Sequence, residues 1–345
     1  GRGAWRGGGG AGTGRGAWRA GGRGGAGWRG VRETRPVTTA DPARPAVPLG
    51  PPPGPPLGPP PGPPLDLSLD LPPAAQAAGL RLVAVDMDGT LLDSDHEVDA
   101  GFWPLLPELR RRGIVVCPAS GRQYATLERQ FADADVELVY IAENGTQVVL
   151  DGRTESTDLL DLSVAHDVVT TVRTLAARGV PAGAVLCGTR SAYIERADPW
   201  FVAEADRYYA RLEVVEDLLA VQDDVLKVAV YDDGVAQETT LPALVHLRPA
   251  RQVVVSGAHW VDVMSSTADK GSGLRRVQEL LGITPEQTAA FGDYLNDTQM
   301  LTAAGMSFAM ANAHPDVLAV ARHRAPSNDE RGVSRTLAAL LGLAG

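Results

Sequence analysis

The stretch Leu82-Val83-Ala84-Val85-Asp86-Met87-Asp88-Gly89-Thr90 runs through four apolar residues and breaks into two aspartates, a glycine and a hydroxyl. A continuous apolar run, unlike an alternating one, marks a strand covered on both faces, the habit of parallel sheets. Residues 114–117, 138–141 and 288–291 read the same way, and each leads into polar or glycine-containing sequence: Ser120-Gly121-Arg122, Glu143-Asn144-Gly145 and Gly292-Asp293. Helices are expected over 105–112, 124–131, 272–281, 297–304 and 315–321, although Pro107 leaves the start of the first one open, because proline inside a helix removes a hydrogen bond. Strands alternating with helices predict an α/β fold with a parallel sheet. Ligands bind beyond the carboxyl ends of such strands, so the four polar clusters should gather on one edge.

From about 153 to 263 the texture changes. Val185-Leu186-Cys187, Ala192-Tyr193-Ile194, the run 225–230 and Val253-Val254-Val255 read as strands among two or three helical stretches, which predicts a second, α+β unit inserted into the first. Its aromatics, Trp200, Phe201, Tyr208, Tyr209 and Trp260, are core residues by default.

Composition divides the 345-residue chain near Gly79. Residues 1–78 hold 19 of the 39 glycines, 16 of the 26 prolines, nine arginines and only four acids, whereas the remainder carries 23 basic and 38 acidic residues. GRGAWR occurs twice and LGPPPGPP twice in the first part. Few aliphatic side chains offset the entropy of ordering it, so disorder is expected over 1–78. An Arg/Gly/Trp tract offers weak RNA contact through charge and stacking. The acidic remainder disfavours nucleic acid as its main partner, since phosphate backbones are held by Lys and Arg. Two cysteines, Cys117 and Cys187, make no disulfide framework and fit a reduced compartment. No run nears the roughly 18 apolar residues of a membrane helix. A cytoplasmic protein without membrane contact is expected.

Asp86 and Asp88 lie two apart at the end of a strand, where alternate side chains share a face. One carboxylate can attack phosphorus while the other gives a proton to the leaving oxygen and later takes one from water. Gly89 permits a tight exit and Thr90 bonds locally. Gly292-Asp293-Tyr294-Leu295-Asn296-Asp297 adds two carboxylates past another apolar run. Four negative charges in one place raise each other's pKa and call for a cation. Hard oxygen ligands beside a phosphate point to Mg²⁺. The chain has only two lysines, Lys227 and Lys270. Lys270 precedes a helix in Asp269-Lys270-Gly271-Ser272-Gly273, suited to hold a carboxylate and a phosphate oxygen as a point charge. Lys227, inside an apolar run, reads as structural. The Ser120 hydroxyl and Gly121 amide suit phosphate oxygens. No GKS or GKT phosphate loop occurs, which argues against an ATP-driven phosphotransferase of that type, and neither HExxH nor GxSxG is present.

Taken jointly, these clusters resemble the motifs of the haloacid dehalogenase superfamily of phosphohydrolases, in its Cof-type (subfamily IIB) branch, over residues 80–343. Asp86-Met87-Asp88-Gly89-Thr90-Leu91-Leu92 resembles the first motif, Ser120-Gly121-Arg122 the second, Lys270 the third, and Gly292-Asp293 through Asn296-Asp297 the fourth. Ala142-Glu143-Asn144-Gly145 and Asn328-Asp329-Glu330-Arg331-Gly332-Val333 also fit that branch. The resemblance implies a Rossmann-like doubly wound core over 79–152 and 264–345 and an inserted cap over 153–263 that sets specificity. It implies Asp86 as nucleophile forming an aspartyl-phosphate and Asp88 as general acid/base. Mg²⁺ would be held by Asp86, the Asp88 carbonyl and Asp293. Phosphate would meet the Met87 amide, Ser120, Gly121, Lys270 and Asn296, with Asp297 and Thr90 in support. Four carboxylates, Lys270 and Mg²⁺ leave one negative charge, which a proton on Asp88 would cancel. The 78-residue leader is foreign to the family, and Tyr294-Leu295 replaces a pair that is usually more polar.

The expected activity is Mg²⁺-dependent hydrolysis of small phosphorylated metabolites, sugar phosphates among them. A phosphosugar mutase of the same fold is the alternative enzyme, and an RNA-associated protein acting through the leader is the alternative of another class. Arg190, Arg196, Arg207 and His259 are candidates for specificity.

Overall fold

A computed structural model describes residues 69–343. The expected leader, with its GRGAWR and proline repeats, falls on 1–68 and lies outside the described residues. Residues 69–78, assigned to that leader, are instead packed on the chain that follows. Asp70 accepts from Arg324 N at 3.2 Å, Gln76 Nε2 donates to Gly305 O at 3.2 Å, and 74–77 form one helical turn after Pro73. Both contacts go to main-chain groups of distant residues, so the composition of this stretch could not announce them.

One sheet has eight strands. In chain order these are β1 (Leu82–Asp86), β2 (Val115–Ala119), β3 (Val139–Ala142), β4 (Gln147–Leu150) and β5 (Arg153–Thr157). Strands β6 to β11, defined below, form the second sheet, and the chain then returns to the first with β12 (Thr288–Gly292), β13 (Met306–Met310) and β14 (His323–Ala325). The order is β14-β13-β12-β1-β2-β3-β4-β5. Pairing is parallel from β14 to β3 and antiparallel at β4 and β5. The apolar run of β1 explains its central place. Val83 and Val85 enter one hydrophobic cluster with Phe291 and Phe308, and Leu82 and Ala84 enter another on the opposite face with Leu274 and Met300. Phe291 and Phe308 stack at 4.7 Å between ring centres.

The second sheet comprises β6 (Ala182–Gly188), β7 (Ala192–Ile194), β8 (Leu212–Val214), β9 (Val225–Asp232), β10 (Arg251–Gly257) and β11 (Trp260–Ser265), in the order β10-β11-β9-β6-β7-β8. All its pairs are antiparallel except β7 with β8. The expected limit at 152/153 differs from the strand pairing, because β5 is hydrogen-bonded to β4 in the first sheet. Asp151 and Gly152 both take left-handed φ, 51° and 70°. That is the backbone of a two-residue hairpin turn, which an Asp-Gly pair favours. Pro107 sits third in helix Leu105–Arg111, where backbone N–H groups have no partner within the helix anyway. No helix among the described residues is long and apolar enough to cross a membrane. Both cysteines are buried and free.

Candidate active site

From β1 the chain passes to β2 and β3 on one side, and it later returns to β12 and β13 on the other. The crevice beyond β1 and β12 is therefore where strand order reverses, the place an open parallel sheet offers a ligand. Asp86 is the last residue of β1, and Asp293 follows directly on β12.

Lys270 opens helix Lys270–Leu281, two residues earlier than expected, because Asp269 caps it. Ser272 N donates to Asp269 Oδ1 at 2.7 Å, and Asp269 N donates to Ser272 Oγ at 3.0 Å. The Lys270 ammonium, 1% exposed, donates to Asp86 Oδ1 and, at 2.7 Å, to Asp297 Oδ1. The other oxygen of Asp297 accepts from Asp293 N at 3.0 Å and Tyr294 N at 3.1 Å. Thr90 Oγ1 donates to Asp293 Oδ1 at 2.9 Å. Gly89 has φ +78°, and a Cβ there would lie 2.4 Å from Asp293 Oδ2. Only glycine lets the chain leave β1 this way.

Asp86, Asp293 and Asp297 present carboxylate oxygens within 4.8 Å of one another. Burial pushes Asp86 well above the carboxylate range, Asp297 pushes it further, and Lys270 opposes both. Burial and then Asp297 push Asp293 to about 6 against the Thr90 hydrogen bond. Burial works against the Lys270 charge, but Asp297 and Asp86 outweigh it and raise the ammonium above its ordinary range. Three carboxylates facing one ammonium leave two negative charges. That donor set, all hard oxygens in a partly dry site, fits a divalent cation of the Mg²⁺ type.

Asp88 lies outside that cluster. β1 ends at Asp86, so Asp88 sits in the turn, where strand alternation does not govern its direction. Its half-exposed carboxylate is gripped at both oxygens by Arg122, with Nε on Oδ2 at 3.1 Å and Nη2 on Oδ1. The expected charge count placed a proton on Asp88; the structure adds the Arg122 guanidinium to that count. His96 Nδ1 lies 3.6 Å from the same carboxylate.

Ser120 is buried just past β2, and its Oγ accepts from Arg122 N at 3.2 Å. Among the described residues the Gly121 amide has no protein acceptor. Met87 is fully buried in the core beside β1. Asn296 is exposed, and its Nδ2 donates to Asn144 Oδ1 at 3.1 Å, joining the fourth cluster to the Glu143-Asn144-Gly145 turn. At Gly145, φ is +96° and a Cβ would meet Asp269 O at 2.1 Å, so this turn and the Lys270 helix touch through glycine. Asn328 Nδ2 donates to Leu92 O at 2.9 Å, and Ser94 N donates to Asp329 Oδ1 at 2.8 Å; the late Asn328-Asp329 segment thereby pins the loop after Asp88.

The four candidates for specificity are engaged by residues between β5 and helix Lys270–Leu281. Arg190 pairs with Asp223, Arg196 with Asp198, Arg207 with Glu204, and His259 Nδ1 contacts Asp232 O. The sequence motif gives Arg122 no role of its own, although the motif's place beyond β2 signals one. Lys227 of β9, expected to be structural, is a buried ion-pair partner whose ammonium reaches Gly121 O at 3.2 Å and Glu143 Oε2 at 2.8 Å, both in the first sheet's loops. The lysine scarcity that singled out Lys270 applied to it equally.

Residues 83–337 match the family model of haloacid dehalogenase-like hydrolases. The chain is 32% identical over 257 residues to the 5-amino-6-(5-phospho-D-ribitylamino)uracil phosphatase YbjI of Escherichia coli (strain K12), covering 74% of this chain and 93% of that protein. It is 28% identical over 247 residues to the HMP-PP phosphatase of Cronobacter sakazakii (strain ATCC BAA-894), covering 70% and 88%. Among solved structures, a haloacid dehalogenase-like hydrolase from B. subtilis shares the fold, with a TM-score of 0.64 at 24% identity over 75% of this chain and 99% of that one.

Proposed function

The chain belongs to the haloacid dehalogenase-like hydrolases, and on that premise we propose that it is a Mg²⁺-dependent phosphatase of small phosphorylated metabolites working through an aspartyl-phosphate on Asp86. The observation that carries the reading is the buried ammonium of Lys270 shared by Asp86 and Asp297, with Asp293 in the same cluster. Lys270 offsets the repulsion between the Asp86 carboxylate and an incoming phosphate dianion. The Asp86 oxygen forms a bond to phosphorus as the ester oxygen leaves, and Asp88, in its protonated form, gives that oxygen its proton. Asp88 then takes a proton from the water that attacks the aspartyl-phosphate, which releases inorganic phosphate and restores both groups. Arg122 holds Asp88 beside the reacting centre. Ser120 Oγ, the Gly121 and Met87 amides and Asn296 hold phosphate oxygens, and Asp297 fixes Lys270.

Asp86, Asp293 and the Asp88 carbonyl would hold the cation. When bound, Mg²⁺ neutralises charge on the phosphate and on the cluster. The inserted residues between β5 and helix Lys270–Leu281 act as a cap that selects the substrate. Phosphorylated metabolites with an organic body the size of that in the E. coli relative's name are the first compounds to screen. The test is Asp86→Asn in the full chain with p-nitrophenyl phosphate and Mg²⁺. Phosphate release should fall by at least about ten-thousand-fold; activity near that of the unsubstituted chain overturns the assignment.

A further inference from the structure

The three consecutive carbonyls of the phosphate loop each have a separate donor. Ser120 O accepts from Asn144 N at 2.9 Å and Arg122 O from Glu143 N at 3.0 Å. The middle one, Gly121 O, accepts from Lys227 Nζ at 3.2 Å, the only one of these three donors that comes from the six-stranded sheet. Lys227 is 3% exposed and faces two acids, Glu143 (1% exposed) at 2.8 Å and Asp262 of β11 (5% exposed) at 3.5 Å. Glu143 and Asn144 both hold left-handed φ, 49° and 56°. Such a backbone persists only where its surroundings over-determine it, and the Lys227 ion pair on Glu143 is one such restraint.

We infer that Lys227 is a positioning residue for residues 120–122: through its bonds to the Gly121 carbonyl and the Glu143 carboxylate, it makes the anion-binding shape of this loop depend on β9 of the second sheet. The reasoning is geometric. The Gly121 carbonyl shares one planar peptide with the Arg122 amide, so a donor that fixes the carbonyl also fixes that amide, which donates to Ser120 Oγ at 3.2 Å. A lysine needed only to fill the space under β9 would require no contact with that loop. The inference rests on the reading of 120–122 as a phosphate loop, so its test carries one measurement that does not depend on that reading.

The experiment uses the full chain and three variants: Lys227→Met, the charge-free Lys227→Met/Glu143→Gln/Asp262→Asn, and Asp262→Asn. The triple variant keeps the side-chain volumes and leaves no unpaired buried charge, so it should fold even where Lys227→Met does not. Inorganic phosphate is the probe, read as competitive inhibition of p-nitrophenyl phosphate hydrolysis. Its inhibition constant and the KM should rise by about tenfold or more in the triple variant, with a smaller change in kcat, while Asp262→Asn stays within about twofold. Hydrogen exchange supplies the independent arm: amides 120–123 should exchange at least about tenfold faster in the triple variant, with β1 amides unchanged. A folded triple variant with wild-type phosphate inhibition and wild-type exchange at 120–123 overturns the inference. An unsubstituted chain that binds no phosphate overturns the functional reading instead, and the exchange arm then decides Lys227 alone.

Discussion

The chain's two lysines are both buried, and each faces two carboxylates, yet they belong to different kinds of region. Lys270 meets Asp86 and Asp297 at the open edge between β1 and β12, where Asp293 adds a third acid and leaves the cluster two charges negative. Lys227 meets Glu143 and Asp262 between the two sheets, and its remaining contact is a backbone carbonyl. Among the described residues, only the first region gathers three carboxylates close enough to hold a metal ion. A buried lysine among acids is therefore no site in itself. What sets the first region apart is its surplus of negative charge at the sheet edge where β1 and β12 end.

Exchanging either lysine for methionine should separate the two. Lys270→Met should lower kcat for p-nitrophenyl phosphate by about a thousand-fold, as loss of a preorganised charge at a reacting centre does. Equal kinetics in that variant would erase the distinction. Lys227→Met should act first on stability, lowering the unfolding free energy by about 3 kcal/mol or more in chemical denaturation, because it strands two buried acids. Its cation titration should stay as in the unsubstituted chain; a lost cation response would merge the regions into one. Arg122→Met should lower kcat by about ten- to a hundred-fold and alter the pH–rate profile, since Asp88 loses its orienting partner but keeps its carboxyl. An unaltered profile would leave the Arg122–Asp88 pair a surface contact.

The smallest expected effect is on pH dependence and concerns only the Lys270 region. With Asp293 at about 6 in the folded chain and about 4 when unfolded, the cation-free folded state holds a proton that the unfolded state lacks between those values. Through this group stability falls as pH rises across that window, and Asp86, also raised, acts in the same direction. The melting temperature without divalent cation should drop by about 2–4 °C from pH 4.5 to 7. Mg²⁺ binds the ionised form, so its stabilising effect should grow over the same range, and Asp293→Asn should weaken both trends, with Asp86 carrying the remainder. A flat profile in the unsubstituted chain would show that burial does not load this carboxyl.

Much of this was legible because the signals were local. A run of apolar residues breaking into Asp-Met-Asp-Gly-Thr states a strand, its burial and its exit without reference to any other part of the chain. β13 was not legible: Met306-Ser307-Phe308-Ala309-Met310 has no strong strand propensity, and its burial comes from lying between β12 and β14. β5, with the polar sequence Arg-Thr-Glu-Ser-Thr, is largely exposed and exists through its pairing with β4, although the Asp151-Gly152 turn before it did carry a readable hairpin signal.

By itself, the order of residues determined which side chains would stand at the ends of buried strands, since periodicity and turn chemistry act over a few positions. It also fixed how many charges the site must balance. Only the folded chain decided which charges would balance which: that Arg122 takes Asp88, that Lys270 joins Asp86 to Asp297, and that Lys227 reaches across to Gly121. Electrostatic pairing depends on separation in space and on exclusion of water, and both are set when distant segments pack, so neither is written in the spacing of residues along the chain.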